Sequence, residues 1–214
     1  MLLTLRDQDI LSTVTEKVRL LDEEQLASTW WGLSRSGRIE AKRRAAKLIA
    51  AGLLRSLVVL SRPLPSLDAP VLAWSLGQPK PDIARAAGVF QLRWSSPPRS
   101  TSVYLATPKA TSITGGVAPG LKHPLQVGHD CGLTSVYLRL KREQPALAKA
   151  WLGEDCISWP RGLRVRRSDA VIRGASGETV LAVEMGGSGA AYGRHRLEAW
   201  HEHFASRGLP YLMW

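Results

Sequence analysis

Ser36-Gly37-Arg38-Ile39-Glu40-Ala41-Lys42-Arg43-Arg44-Ala45-Ala46-Lys47-Leu48-Ile49-Ala50-Ala51-Gly52 is the stretch whose reading decides the fold. Ser36 is expected to cap a helix over 37–51, and Gly52 to end it. Ile39, Ala45, Leu48 and Ile49 mark an apolar side at helical spacing, which leaves Arg38, Lys42, Arg43 and Lys47 for the opposite side. Between Arg35 and Arg55 stand seven Lys/Arg residues against one acid, Glu40. Such a helix can neutralise phosphates and, through arginine, read guanine in the major groove.

Upstream, two further helices are expected. Thr4 caps the first, whose buried side is Leu3, Ile10, Leu11, Val14 and Val18; Asp22 caps the second, over 23–31, and Gly32 stops it. Downstream, 53–60 reads as a strand, Pro63, Pro65, Asp68 and Pro70 break the run, and 71–76 reads as a second strand. Two helices, a basic helix and a hairpin follow the order of a winged helix-turn-helix, with Arg62 at the wing. The expected DNA contacts are Arg35, Arg38, Lys42, Arg43, Arg44, Lys47 and Arg62. A second basic run, 161–167, adds Arg164, Arg166 and Arg167; it reads equally well as an exposed hairpin without a partner.

Composition agrees with a polyanion partner. The 214 residues carry 29 Lys/Arg against 18 Asp/Glu, a net charge of +11. With 44% hydrophobic and 22% charged residues, the chain falls outside the disordered class. No run approaches the roughly 18–20 apolar residues of a membrane span, and the start is not a signal peptide, so a cytoplasmic location without a membrane partner is expected. Cys131 and Cys156 form no CxxC or metal pattern, and their redox state stays open.

Beyond a linker at 77–81, a short helix is expected over 82–88, strands over 90–94 and 101–106, and a helix from Thr107-Pro108. Gly115 to Gly120 reads as a boundary. The remainder alternates as α-β-β-β-α-β: a helix over 129–144 that continues or restarts over 145–151, strands over 155–159, 168–173 and 179–184, a helix over 192–207, and a strand over 209–214. Asp169 and Glu184 fall at neighbouring strand ends, with Glu154 nearby, an arrangement that can hold a divalent metal and activate water. It is the core of the PD-(D/E)xK nuclease fold. The lysine that this pattern places two residues after the second carboxylate is Gly186 here, no lysine follows Lys149, and Ser168 stands where a proline usually precedes the first carboxylate. Arg194 or Arg196 can supply charge but not act as a base. Mg²⁺ is therefore expected only if that site is active.

His195, His201 and His203 are off the i,i+4 spacing of a zinc pair, whereas His123 and His129 are candidates to approach the carboxylates. Most of the eight tryptophans read as core; base stacking is considered for Trp94 beside Arg93 and Arg99.

The chain resembles the replication-relaxation family of plasmids and other bacterial mobile elements. The resemblance rests on 3–11 (Leu-Thr-Leu-Arg-Asp-Gln-Asp-Ile-Leu), Arg43-Arg44 with Leu48, and 51–54 (Ala-Gly-Leu-Leu). It continues in 103–107 (Val-Tyr-Leu-Ala-Thr), a histidine before the central helix, Asp169-Ala170, Val183-Glu184, Tyr192, Arg196-Leu197 and Trp200. It implies an α+β protein: a winged-helix domain over 1–115 with an elaboration at about 77–100, then a restriction-endonuclease-like α/β domain over 120–214. The expected function is a DNA-binding accessory protein of a mobile element, acting on duplex DNA in replication or mobilisation, together with other proteins of that complex. Two alternatives stand beside it: a metal-dependent endonuclease using Asp169 and Glu184 with Glu154 assisting, and a dimeric winged-helix transcriptional regulator.

Overall fold

Each of the first three helices begins at a side-chain cap. Thr4 and Asp7 form a reciprocal capping box at α1 (Leu5–Ser12), and Asp22 and Gln25 form another at α2 (Glu23–Trp30). Ser34, rather than Ser36, caps α3 (Arg35–Ala50) by accepting from the Gly37 N–H at 3.1 Å. The computed structural model describes residues 2–158, 166–187 and 192–214, and it is a mixed α+β fold.

A π-helical turn, Thr13–Lys17, extends α1. The remaining elements are β1 (Leu20–Asp22), β2 (Leu54–Ser61), β3 (Leu72–Trp74), α4 (Ile83–Leu92), β4 (Arg99–Ala106), α5 (Pro108–Thr114), α6 (Val127–Glu143) and α7 (Pro145–Ala150). They are followed by β5 (Trp151–Gly153), β6 (Ala170–Arg173), β7 (Thr179–Glu184), α8 (Arg194–Ala205) and β8 (Tyr211–Met213).

The strands form two sheets. In the first, of order β1-β4-β2, both pairings are antiparallel. In the second, of order β3-β8-β7-β6-β5, only β7 and β8 run parallel. This corrects the expected hairpin. Residues 54–61 pair with 99–106, while the strand at 72–74 crosses to the second sheet and pairs with β8. Local alternation identifies a strand but carries no label for its partner. The span 90–92, read as a strand, closes α4, and the expected strand 155–159 moves back to 151–153, where Trp151 opposes Ile172. The last residue of that expectation, Trp159, lies outside the described residues.

α6 joins the two sheets. Val127, Cys131 and Thr134 meet the first sheet, with Thr134 Oγ1 donating to the Leu20 carbonyl at 2.7 Å. Leu133, Val136, Tyr137 and Leu140 lie about half a turn round the helix and join the core with Ile172, Val183 and Trp214 of the second. On the far face of the first sheet, Leu21, Leu54 and Tyr104 pack with α1 and α3. On the far face of the second, Ala182, Tyr211 and Met213 pack with α4 and α8. The layers therefore run α3, first sheet, α6, second sheet, α8. β3 and α4 thus belong with the second sheet, although they precede residue 115 in the chain.

Candidate functional site

Small residues let α3 sit close to its neighbours. Gly37, Ala41, Ala45 and Leu48 are its buried side, and a Cβ on Gly37 would meet the Gly32 carbonyl oxygen at 2.5 Å. Gly32, at φ +85°, makes the turn from α2. Ile39, expected in the core, is 54% exposed, because the buried side is rotated toward Gly37 and Ala41. Around it Arg35, Lys42, Arg43 and Lys47 are exposed.

Several of these bases carry acidic neighbours. Lys42 Nζ lies 2.9 Å from Glu23 Oε1, Arg38 Nη2 3.7 Å from Glu24 Oε1, and Arg43 Nη2 2.6 Å from Glu40 Oε2. Such solvated pairs contribute about 0–1 kcal/mol each and exchange readily for a phosphate.

Arg44 differs. Both its Nε and Nη2 donate to the fully buried Asp7 carboxylate, which also accepts from Thr4. Burial alone would raise the Asp7 pKa, but the Arg44 guanidinium and the Thr4 donors outweigh it and hold the carboxyl below its usual value. Arg44 is thus engaged by Asp7 rather than free at the surface. Arg62 is also engaged: Nη1 donates to the Trp94 and Ser96 carbonyls at 2.6 and 2.9 Å, tying the end of β2 to the 93–98 segment. Arg164 lies outside the described residues. Arg167 is exposed, and Arg166 stands over the Trp200 ring at 5.1 Å.

Asp169 and Glu184 do converge, since antiparallel β6 and β7 bring the start of one beside the end of the other. The Asp169 and Glu184 carboxyl groups lie side by side, next to Ser168. Glu184 is 5% exposed and its Oε1 has no partner. Burial first, and the Asp169 charge second, push the Glu184 carboxyl well above the usual carboxylate range. Asp169 accepts from the Met185 N–H at 2.8 Å and faces His129 Nε2 at 3.2 Å. Burial would raise its pKa; the His129 charge and hydrogen bonds lower it on balance. For His129, burial is outweighed by Asp169 and Asp130, and its pKa is pushed up to about 10. At neutral pH His129 is an imidazolium against Asp169, while burial drives Glu184 toward its neutral form.

Glu154 is drawn elsewhere. Arg19 Nη2 and Lys122 Nζ each lie 3.0 Å from it, and Arg19 also binds Asp130 and Asp155 at 2.8 Å. The cavity between this network and Asp169 measures about 30 Å³, room for a water or two. The position of the missing lysine is occupied as well: a Cβ on Gly186 would lie 2.0 Å from Phe90 Cε1. Glu154 is thus held by Arg19 and Lys122, and Asp169 already faces the His129 cation. Among the described residues no group of three or more His, Cys, Asp or Glu side chains is placed to hold a metal ion.

Of this cluster the sequence reading named His129 and Glu154, whereas Asp130, Asp155, Arg19 and Lys122 escaped it. No short-range spacing links Arg19 to acids more than a hundred residues away. Trp94, considered for base stacking, has φ +62° and packs by Gly128, with its indole nitrogen buried and unpartnered. No helix among the described residues is long and apolar enough to cross a membrane. Comparison with known protein families, curated proteins and solved structures finds no match to this chain.

Proposed function

We propose that the chain is a duplex-DNA-binding accessory factor that reads DNA with α3, in the manner of a winged helix, within the DNA transactions of a mobile element. The observation carrying this reading is the exposed strip of α3. Arg35, Lys42, Arg43 and Lys47 surround Ile39, while the opposite side is buried against α2 and the first sheet. Bases of this kind serve phosphates and guanine edges, and an exposed isoleucine among them suits the thymine methyl group. The first sheet, with β4 between β1 and β2 and α1, α2 and α3 packed on it, supports a winged helix whose wing is the antiparallel pair 54–61/99–106, joined across β3 and α4. The order α6-α7-β5-β6-β7-α8-β8, with β7 parallel to β8, supports a nuclease-like scaffold. We read that scaffold as non-catalytic, because Phe90 fills the place of the lysine side chain.

The test is salt-dependent binding to a mixed-sequence duplex by fluorescence anisotropy. Arg35→Ala/Lys42→Ala/Arg43→Ala should weaken binding and make the log K against log salt slope shallower by about 2.7, at about 0.9 for each phosphate no longer neutralised. Unchanged affinity and slope in the folded variant would overturn the reading.

A further inference from the structure

The second basic surface lies on the opposite outer layer. Arg196, Trp200, His203 and Arg207 recur at i, i+4, i+7 and i+11 along and just beyond α8, one stripe about 16 Å long. Arg166 extends it from the neighbouring segment, over the Trp200 ring at 5.1 Å, and Arg167 is exposed beside it in the chain. The acids of α8, Glu198 and Glu202, fall on the other shoulder, and Glu198 is engaged by Arg194 at 3.0 Å. Among the described residues no carboxylate pairs with Arg166, Arg167, Arg196 or Arg207, and the segments 159–165 and 188–191 contain no acid to do so.

Two further facts mark this as uncompensated positive charge. The His203 pKa is lowered, by burial first and then by Arg207 and Arg166. Arg207 Nη1 meets the ring nitrogen Nδ1 of that histidine at 3.1 Å while donating to its carbonyl at 2.8 Å. A stripe of this length spans several phosphates of a strand that carries one charge per ~3.4 Å. Since α3 and α8 are separated by both sheets and α6, their outer surfaces face apart, and one straight duplex does not reach both.

We infer that the Arg166–Arg196–His203–Arg207 stripe is a second duplex-backbone surface, so that one molecule holds two duplex segments, one on each outer helix. The two-segment part rests on the α3 reading; the α8 surface stands by itself.

The experiment uses the full chain, a bead-bound duplex and a separate labelled duplex at low salt. Wild type should co-capture the labelled duplex. Arg166→Gln/Arg196→Gln/Arg207→Gln should keep single-duplex binding and lose at least tenfold in co-capture. Arg35→Ala/Lys42→Ala/Arg43→Ala should also lose co-capture while retaining weak, salt-sensitive binding through α8. Duplex added to wild type should shift the His203 NMR titration upward, a readout that requires no variant to fold. Wild-type co-capture in the α8 variant, as a dimer holding DNA only by α3 would give, together with an unmoved His203 titration, overturns the inference and leaves the α3 reading intact. Full single-duplex affinity in the α3 variant that disappears on adding the α8 changes overturns the α3 reading and retains this one. Stripe-dependent capture by phosphatidylserine vesicles without capture of duplex also overturns it.

Discussion

Replacing Glu184 by glutamine tests the protonation state on which the non-catalytic reading depends. In the folded chain, burial first and the Asp169 charge second raise the Glu184 carboxyl well above the 4.5 of an unfolded glutamate. Its folded pKa is raised, so its contribution to stability is fully present below about 4.5 and is lost as pH climbs toward the folded value. Above 4.5 the folded state holds one proton that the unfolded state has released, which costs about 1.4 kcal/mol per pH unit. Glutamine keeps the shape and a donor for Asp169 but has nothing to titrate. Relative to wild type, Glu184→Gln should therefore gain about 1.4 kcal/mol for each pH unit between 4.5 and the folded value. Urea unfolding followed by tryptophan fluorescence at pH 5, 6 and 7 measures the difference directly, and ionisations common to both proteins cancel. A stability difference that stays constant across this range would show that Glu184 is ionised in the folded state. The acid pair would then be open to a cation, against the non-catalytic reading.

Arg44→Ala should destabilise the fold by about 3–5 kcal/mol, because it leaves the buried Asp7 carboxylate without its cation, whereas Lys42→Ala on the same helix should cost under about 1 kcal/mol. Equal destabilisation of the two variants in urea melts would show that the Asp7–Arg44 pair is an ordinary surface pair. Gly186→Ala should cost about 1–3 kcal/mol by overpacking against Phe90, and much of that cost should vanish in a Phe90→Ala background. A double-mutant cycle without coupling would mean that the ring does not occupy the lysine position.

Much of the architecture was legible because its signals are local. Thr4, Asp22, Asp82 and Thr107 accept from backbone N–H groups of their own first turns, so four helix starts follow from neighbouring residues alone. The site was legible only in part. That Asp169 and Glu184 flank adjacent strand ends follows from the turn Gly174–Gly177 between two short strands. Their ionisation does not follow, because it is set by burial and by His129, which arrives on α6 from forty residues earlier. Likewise a run of bases is visible in the sequence, but Arg43 and Arg44 are equivalent there. Only the packing of α3 on α1 sends one to solvent and the other to Asp7.

From its sequence alone, then, this chain specifies a basic third helix, most of its helices and strands, and an acid pair lacking the lysine of a nuclease. Each of these depends on interactions within a few residues: caps, turns and periodicity. Tertiary structure alone decides that β2 pairs with β4, that β3 and α4 join the C-terminal sheet, that Ile39 faces outward and that Phe90 fills the place beside Gly186. Strand partners and ring positions are chosen by burial summed over the whole fold, and that sum is not written in any local pattern.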